Sequence, residues 1–179
     1  MSIRLLTVLA VTACAGVAAC APTGVLPGGP AGPGVSGPYP GNPSAFRAED
    51  FAWSTQTGTS AVEGRVNFSR DGQSYNCTGS VGLTPDTPYT RRRFQNLYGS
   101  IELAALPEAV IRARNVADPA EDYRSFVRAA HCNDNTFRFA DLPVGSWFLV
   151  TPVSAGGEDR VVLMRRVETR ADRTTNVIQ

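Results

Sequence analysis

The carboxy-terminal part of the chain, residues 45–179, consists of short apolar runs that are separated at close intervals by Gly, Pro, Asn and Asp. Runs of this length suit β-strands, and the residues between them favour turns. About 135 residues are enough to bury one hydrophobic core. The pattern therefore predicts a single all-β domain over residues 45–179.

Alternating apolar positions place the individual strands. Phe137 and Phe139 flank Arg138, which is the pattern of a half-buried strand. The same reasoning predicts strands at residues 62–68, 77–83, 137–140, 147–150, 161–164 and 174–178. Glycine, proline and aspartate predict tight turns at residues 71–72, 142–145 and 155–159.

Two segments leave the choice of element open. Residues 90–103 suit either a short helix or an irregular excursion. The sequence Asp118-Pro119-Ala120-Glu121 contains an N-cap residue, a proline at the first helical position and a capping-box glutamate. The apolar residues that follow, at 123–130, have helical spacing but could also pair as a strand with residues 137–140. We favour a turn of helix near Pro119, followed by a strand that ends at Cys132.

One motif reads Val81-x-Leu83-x-Pro85-x-Thr87-x-Tyr89, and a second reads Asn135-x-Phe137-x-Phe139-x-x-Leu142-Pro143-x-Gly145-x-Trp147. Together they resemble bacterial carboxypeptidase regulatory-like domains over residues 61–179. The resemblance implies a transthyretin-like or immunoglobulin-like β-sandwich of about seven strands with a short helical or irregular insertion. It also implies an accessory module without an active site. Where that family often has Asp-x-x-Gly, this chain has Asn133-Asp134-Asn135-Thr136, and Asn supports the same turn.

The first twenty residues have the features of an export signal. Arg4 supplies a positive charge, and the uncharged apolar stretch that follows, about a dozen residues long, is too short to span a bilayer. The stretch ends in Val17-Ala18-Ala19-Cys20, which resembles the bacterial lipobox, in which a lipid is attached to the cysteine thiol. We therefore predict that Cys20 is lipidated. Cys14 is the weaker candidate, and an ordinary cleaved secretory signal is the alternative.

Residues 21–44 form an uncharged stretch rich in Pro and Gly, which predicts a disordered linker. Fully extended, it would reach about 75 Å, at about 3.1 Å per residue. The residue after Cys20 is Ala21 rather than Asp, which by analogy with enteric sorting predicts an anchor in the outer membrane, facing the periplasm. The chain is thus divided into a signal (1–20), a linker (21–44) and a folded domain (45–179) of the bacterial cell envelope.

The composition excludes several kinds of chemistry. All 17 basic residues are arginines, so a Walker-type phosphate loop, a Schiff-base lysine and a Lys–Asn isopeptide bond are ruled out. A single histidine, His131, cannot form a two-histidine zinc site. The net charge of +1 argues against binding to nucleic acid. We predict no cofactor, no metal ion and no nucleic-acid partner.

Cys77 and Cys132 are the two cysteines of the predicted folded domain. Exported proteins meet an oxidising compartment, so we predict a structural disulfide between them, which closes a loop of about 55 residues and contributes about 4 kcal/mol. Two free thiols or a redox pair are the alternatives, although the spacing is unlike that of a CxxC motif. His131 and Cys132 are adjacent on a predicted strand and point to opposite faces, which argues against a Cys–His dyad.

Arg91, Arg92 and Arg93 form the one concentrated charge feature of the sequence. Their guanidinium groups could contact phosphate or carboxylate groups of envelope polymers, although most charge runs are solvated surfaces. Together with Tyr98 they are the candidate binding surface. Other aromatic residues are assigned to core packing rather than to a sugar-stacking platform: Tyr89, Trp147 and Phe148.

The sequence therefore predicts a non-catalytic, membrane-anchored lipoprotein that acts as a structural or interaction module of the cell envelope. The alternative is a module that binds glycan or a cell-wall polymer. A hydrolase, or an accessory subunit of one, is less supported because the sequence contains no convergent acid–base set. The expected partners are the membrane, through the lipid, and an envelope protein or polysaccharide.

Overall fold

The computed structural model describes residues 45–114, 116 and 121–179. The predicted signal, Cys20, the linker and the capping residues at 118–120 lie outside the described residues. All of the described residues belong to one compact unit. Among them, no helix has the length and apolar character that a membrane crossing requires.

The described residues form ten strands, two α-helices and two 3₁₀ segments. The strands are β1 Ser60–Arg65, β2 Phe68–Arg70, β3 Gln73–Cys77, β4 Ser80–Pro85, β5 Leu103–Pro107, β6 Arg128–His131, β7 Thr136–Leu142, β8 Gly145–Gly156, β9 Asp159–Thr169 and β10 Thr174–Ile178. The helices are α1 Pro88–Tyr98 and α2 Glu108–Ala113, and the 3₁₀ segments are Ala48–Thr55 and Glu121–Phe126. The predicted all-β class with short helical insertions is confirmed, whereas the expected number of about seven strands is too low.

The strands form two sheets. The small sheet has the order β10-β1-β7, in which β10 is parallel and β7 antiparallel to β1. The large sheet is built around the long strand β8, which pairs with β9 on one side and with β3 and β4, one after the other, on the opposite side. On the outside of these strands, β5 pairs with β9, β6 pairs with β4, and β2 pairs with β3.

The hydrophobic core lies between the two sheets, because alternate residues of each strand point to the same face. Val62 and Phe139 of the small sheet share one buried cluster with Trp147 and Leu149 of the large sheet. Trp147 is fully buried, and its indole N–H donates a hydrogen bond to Thr169 Oγ1 at 3.1 Å. The indole nitrogen of Trp147 therefore has a hydrogen-bond partner inside the core.

Several predicted strand boundaries need correction. The strand predicted at 62–68 ends at Arg65, and β2 begins at Phe68. The strand predicted at 77–83 is divided after Cys77, because Gly79 has a φ of +74°, which regular strand residues do not adopt. Strand β5 was not predicted, since its sequence LAALP has no polar–apolar alternation. The last strand, Thr174–Ile178, agrees with the prediction.

The segment at 90–103, which the sequence left open, is mostly helix α1. Thr87 caps this helix: its N–H donates to Thr90 Oγ1 at 2.8 Å, and its Oγ1 accepts from the Thr90 N–H at 3.2 Å. Phe94 then fixes the helix to the outer face of the large sheet by stacking on Phe148, with 4.4 Å between the ring centroids. The helix therefore covers apolar residues of the large sheet that face away from the main core.

The predicted disulfide between Cys77 and Cys132 is present, with 6.3 Å between the Cα atoms. It joins the end of β3 to the residue that follows β6. The Cys77 N–H donates a hydrogen bond to Asn135 Oδ1 at 2.8 Å. The loop before β7 is therefore held against the end of β3, next to the disulfide. The predicted helical turn followed by a strand is observed as the 3₁₀ segment Glu121–Phe126 and β6, which ends at His131.

Candidate functional site

A groove with a volume of about 670 Å³ lies on the outer face of the large sheet, and we call it the outer groove. Its floor consists of residues from β4, β8 and β9: Ser80, Gly82, Thr84, Val150, Pro152 and Val162. Its walls consist of residues from α1, α2 and the segment around Glu121–Phe126: Phe94, Leu97, Tyr98, Glu108, Ile111, Arg112, Tyr123, Arg124 and Val127. The outer groove therefore combines aromatic, aliphatic and charged side chains above a floor of small residues.

The floor of the outer groove is open at Gly82. A Cβ atom added at this glycine would meet Val127 Cγ1 at 3.7 Å, an ordinary van der Waals contact, and no other side chain as closely. Ser80 and Thr84 stand on either side of Gly82 along β4 and face the same way, since alternate strand residues share a face. The exposed Ser80 and the buried Thr84 therefore flank Gly82 on the floor of the groove.

Two partly exposed tyrosines line the outer groove. Tyr98 is the last residue of α1 and packs on Phe94, with 5.2 Å between the ring centroids. Burial raises the pKa of Tyr98 to about 12, nearby Tyr123 acts in the same direction, and Arg93 lowers this pKa. Tyr123 comes from the 3₁₀ segment on the far wall, and its hydroxyl accepts a hydrogen bond from Arg93 Nε at 3.1 Å. The two tyrosines thus line the same groove although they come from different segments of the chain.

The three arginines of the predicted binding surface have different surroundings. Arg91 donates two hydrogen bonds to the Asp86 carboxylate, at 2.6 and 2.9 Å. Arg93 lies over the Tyr123 ring, with its guanidinium carbon 5.4 Å from the ring centroid. Arg92 is exposed. Consecutive residues point in different directions around a helix, so α1 does not gather the three guanidinium groups on one surface.

Asp86 is a buried ionic centre that the sequence analysis did not identify. Its side chain is fully buried, and it accepts hydrogen bonds from Arg91 and from Arg166 Nε, the latter at 2.7 Å. Arg166 also donates to Ser146 Oγ at 3.0 Å. The carboxylate therefore ties the start of α1 to strands β8 and β9. An acidic residue between two prolines gives no sequence signal for such a role.

The other aromatic residues named in the sequence analysis are buried. Trp147 and Phe148 have no exposed surface, and Tyr89 has 8 %. They pack the core and the underside of α1, as predicted. The sequence did not indicate Tyr123 as a binding residue, because a single tyrosine carries no distinctive pattern. It did not indicate helix α2 either, because that helix has only six residues.

A larger cleft of about 950 Å³ lies against the small sheet and β6. Its polar residues include His131 and the ion pair between Glu63 and Arg138. The one phenylalanine, tyrosine or tryptophan among the residues that line it, Phe137, is only 5 % exposed. This cleft therefore offers no exposed phenyl, phenol or indole ring to a ligand. Because the sulfur of Cys132 is in a disulfide, neighbouring His131 has no thiol to form a dyad with.

Comparison with known proteins gives a structural likeness. No protein-family model matches the chain, and no curated protein matches its sequence. A solved structure from Pseudomonas aeruginosa, described as a "putative carbohydrate binding protein", superposes with a TM-score of 0.51 at 18 % sequence identity. The superposition covers 75 % of this chain and 97 % of that one. At this level of identity the likeness establishes a shared fold, and the chain is a β-sandwich with short helical insertions.

Proposed function

We propose that this protein is a non-catalytic lipoprotein of the bacterial cell envelope whose folded domain binds glycan in the outer groove. Cys20 would carry the lipid, and residues 21–44 would hold the domain away from the membrane. The proposal joins the envelope role expected from the sequence to one binding surface of the fold.

The observation that carries the proposal is that Tyr98 and Tyr123, both partly exposed, line one groove. An aromatic ring with a hydroxyl offers an apolar face and a polar edge, which suits the apolar faces and polar rims of sugar rings. Ligand sites typically combine such surfaces with a few convergent polar groups. Here the exposed Ser80 supplies a hydroxyl on the floor.

Two further points support the proposal. The structurally similar protein from Pseudomonas aeruginosa is described as a putative carbohydrate binding protein, which agrees with a glycan ligand. The acidic side chain of the groove wall, Glu108, accepts a hydrogen bond from Arg112 Nε at 3.0 Å. A carboxylate held in this way suits binding better than the acid–base chemistry of glycoside hydrolysis.

The test is retention of the full-length protein on insoluble cell-wall and envelope polysaccharides, followed by titration with the soluble fragments that bind. We expect Tyr123→Ala to weaken binding roughly fivefold to tenfold, the size of one aromatic contact. Tyr123→Phe keeps the ring, and we expect it to lose much less affinity. This second variant separates the ring surface from the hydrogen bond to Arg93.

The matched control is His131→Ala, which alters the cleft on the small sheet and leaves the outer groove intact. We expect this variant to bind like the unaltered protein. Failure of the unaltered protein to bind any envelope glycan would refute the proposal. Binding that is lost in His131→Ala and kept in Tyr123→Ala would move the site to the other cleft.

A further inference from the structure

The outer groove continues beyond the two tyrosines. It shares Glu108 and Pro152 with an adjoining hollow of about 340 Å³ near Thr78 and Gly79. That hollow shares Glu108 and Arg160 with a third one, of about 390 Å³, beside the β8–β9 turn. Glu108, at the start of α2, borders all three. The three hollows therefore lie next to one another on the surface, and we call this row of hollows the channel.

The register of the sheet gives the length of this channel. At one end, Thr84 on the floor pairs with Phe148 of β8. At the other end, Asp159 borders the third hollow and pairs with Gly156 of β8. Eight residues of strand separate these two levels, which corresponds to about 26 Å at about 3.3 Å per residue. One sugar ring would fill only a small part of this length.

Charged side chains of both signs border the channel, and some of them are paired with one another. Glu108 pairs with Arg112 and also lies 4.0 Å from Arg160, from Oε2 to a guanidinium nitrogen. Asp159 accepts a hydrogen bond from the Tyr75 hydroxyl at 2.6 Å. Four arginines and three carboxylates border the channel as a whole: Arg70, Arg112, Arg124, Arg160, Glu108, Glu158 and Asp159.

Paired charges of this kind present hydrogen-bond donors and acceptors without a strong field of either sign. A polyanion gains most from unpaired cations, and the arginines first considered for that role, Arg91 and Arg93, are engaged by Asp86 and Tyr123. A ligand with many hydroxyls and no net charge can bond to both partners of such a pair. The channel therefore favours uncharged glycans over anionic ones.

We infer that the ligand is an extended, uncharged oligosaccharide segment, which occupies the channel from Tyr98 and Tyr123 to Arg160. This inference rests on the proposed function and specifies the length and the charge of the ligand. Arg160 would contact units that only a longer chain can place there. Its side chain is 57 % exposed, so its removal should leave the fold intact.

The experiment is calorimetric titration of the full-length protein in detergent micelles with three oligosaccharide series. Two are uncharged, made of glucose and of N-acetylglucosamine, and one is made of galacturonic acid; each runs from the monosaccharide to the hexasaccharide. We expect the affinity for at least one uncharged series to rise with chain length and to be insensitive to salt. Arg160→Ala should weaken hexasaccharide binding roughly threefold to tenfold and leave disaccharide binding unchanged.

Equal affinity for the monosaccharide and the hexasaccharide would overturn the inference about length. Salt-sensitive binding of the galacturonic acid series alone would overturn the inference about charge. Either result would leave glycan binding itself standing. Absence of binding to all three series, together with no retention on envelope polysaccharides, would refute the proposed function as well.

Discussion

At the scale of single residues, Tyr98 places a partly buried phenol in the wall of the outer groove. Its ring packs on Phe94, and α1 ends directly after it. A phenol can be buried in this way only while it is neutral, because burial disfavours the phenolate. Its ionisation is therefore a direct report on the packing of this wall of the groove.

We predict that Tyr98 ionises near pH 12, well above the ordinary tyrosine pKa of 10.0. Because the folded pKa is raised, its contribution to stability is fully present below pH 10 and is lost as the pH rises from 10 to about 12. The loss amounts to about 2–3 kcal/mol of the free energy of unfolding. Phenolate absorbance measured against pH should show a late transition that is missing in Tyr98→Phe, and titration of this group near pH 10 would contradict the packing described.

At the scale of elements, helix α1 is held on the large sheet by one apolar and one ionic contact. Phe94 stacks on Phe148, and Asp86 holds both Arg91 and Arg166. Placing a carboxylate in the interior is unfavourable unless charged donors surround it, and two guanidinium groups meet that need. The helix carries Tyr98, so this attachment also positions a wall of the outer groove.

We predict that Asp86→Asn lowers the free energy of unfolding by about 2 kcal/mol, because it leaves the two arginines without their anion. The value is below that of a fully buried pair, since the Arg91 side chain is 49 % exposed. Urea unfolding followed by tryptophan fluorescence measures the change. Asp71→Asn is the matched control, because the Asp71 side chain is 88 % exposed beside Arg70, and we expect a change within about 0.5 kcal/mol. Equal stability of the two variants would contradict the role of Asp86.

How far the sequence predicts each element depends on how local its signal is. Strand β7 and strand β10 were predicted because alternation and turn residues act within a few positions. Strand β5 was missed because it depends on pairing with β9, far along the chain, and helix α2 was missed because six residues carry no distinctive pattern. The disulfide was predicted from the export signal and the count of cysteines, not from geometry.

The outer groove could not be predicted for a related reason. The sequence pointed to Arg91, Arg92 and Arg93, which are adjacent in the chain but lie on different sides of α1. Tyr98 was named, whereas its counterpart Tyr123 lies on a segment that only the fold brings near. A site built from β4, α1, α2 and the 3₁₀ segment has no signature in any one stretch of sequence.

At the scale of the whole molecule, the described residues form a β-sandwich. The lipid anchor at Cys20 stays a prediction from the lipobox-like sequence. We expect Cys20→Ala to abolish incorporation of radiolabelled palmitate in cells and to release the protein from the membrane fraction. Cys14→Ala is the matched control and should keep both properties, and labelling that follows Cys14 instead would move the anchor to that residue.

The central claim is that the outer groove, and not the cleft on the small sheet, binds glycan. Chemical-shift mapping by nuclear magnetic resonance tests this claim. The isotope-labelled protein is titrated with an oligosaccharide that it binds. We expect the amide signals of Gly82, Tyr98, Tyr123 and their neighbours to shift. Shifts confined to Glu63, His131 and Arg138, or no shifts at saturating glycan, would contradict it.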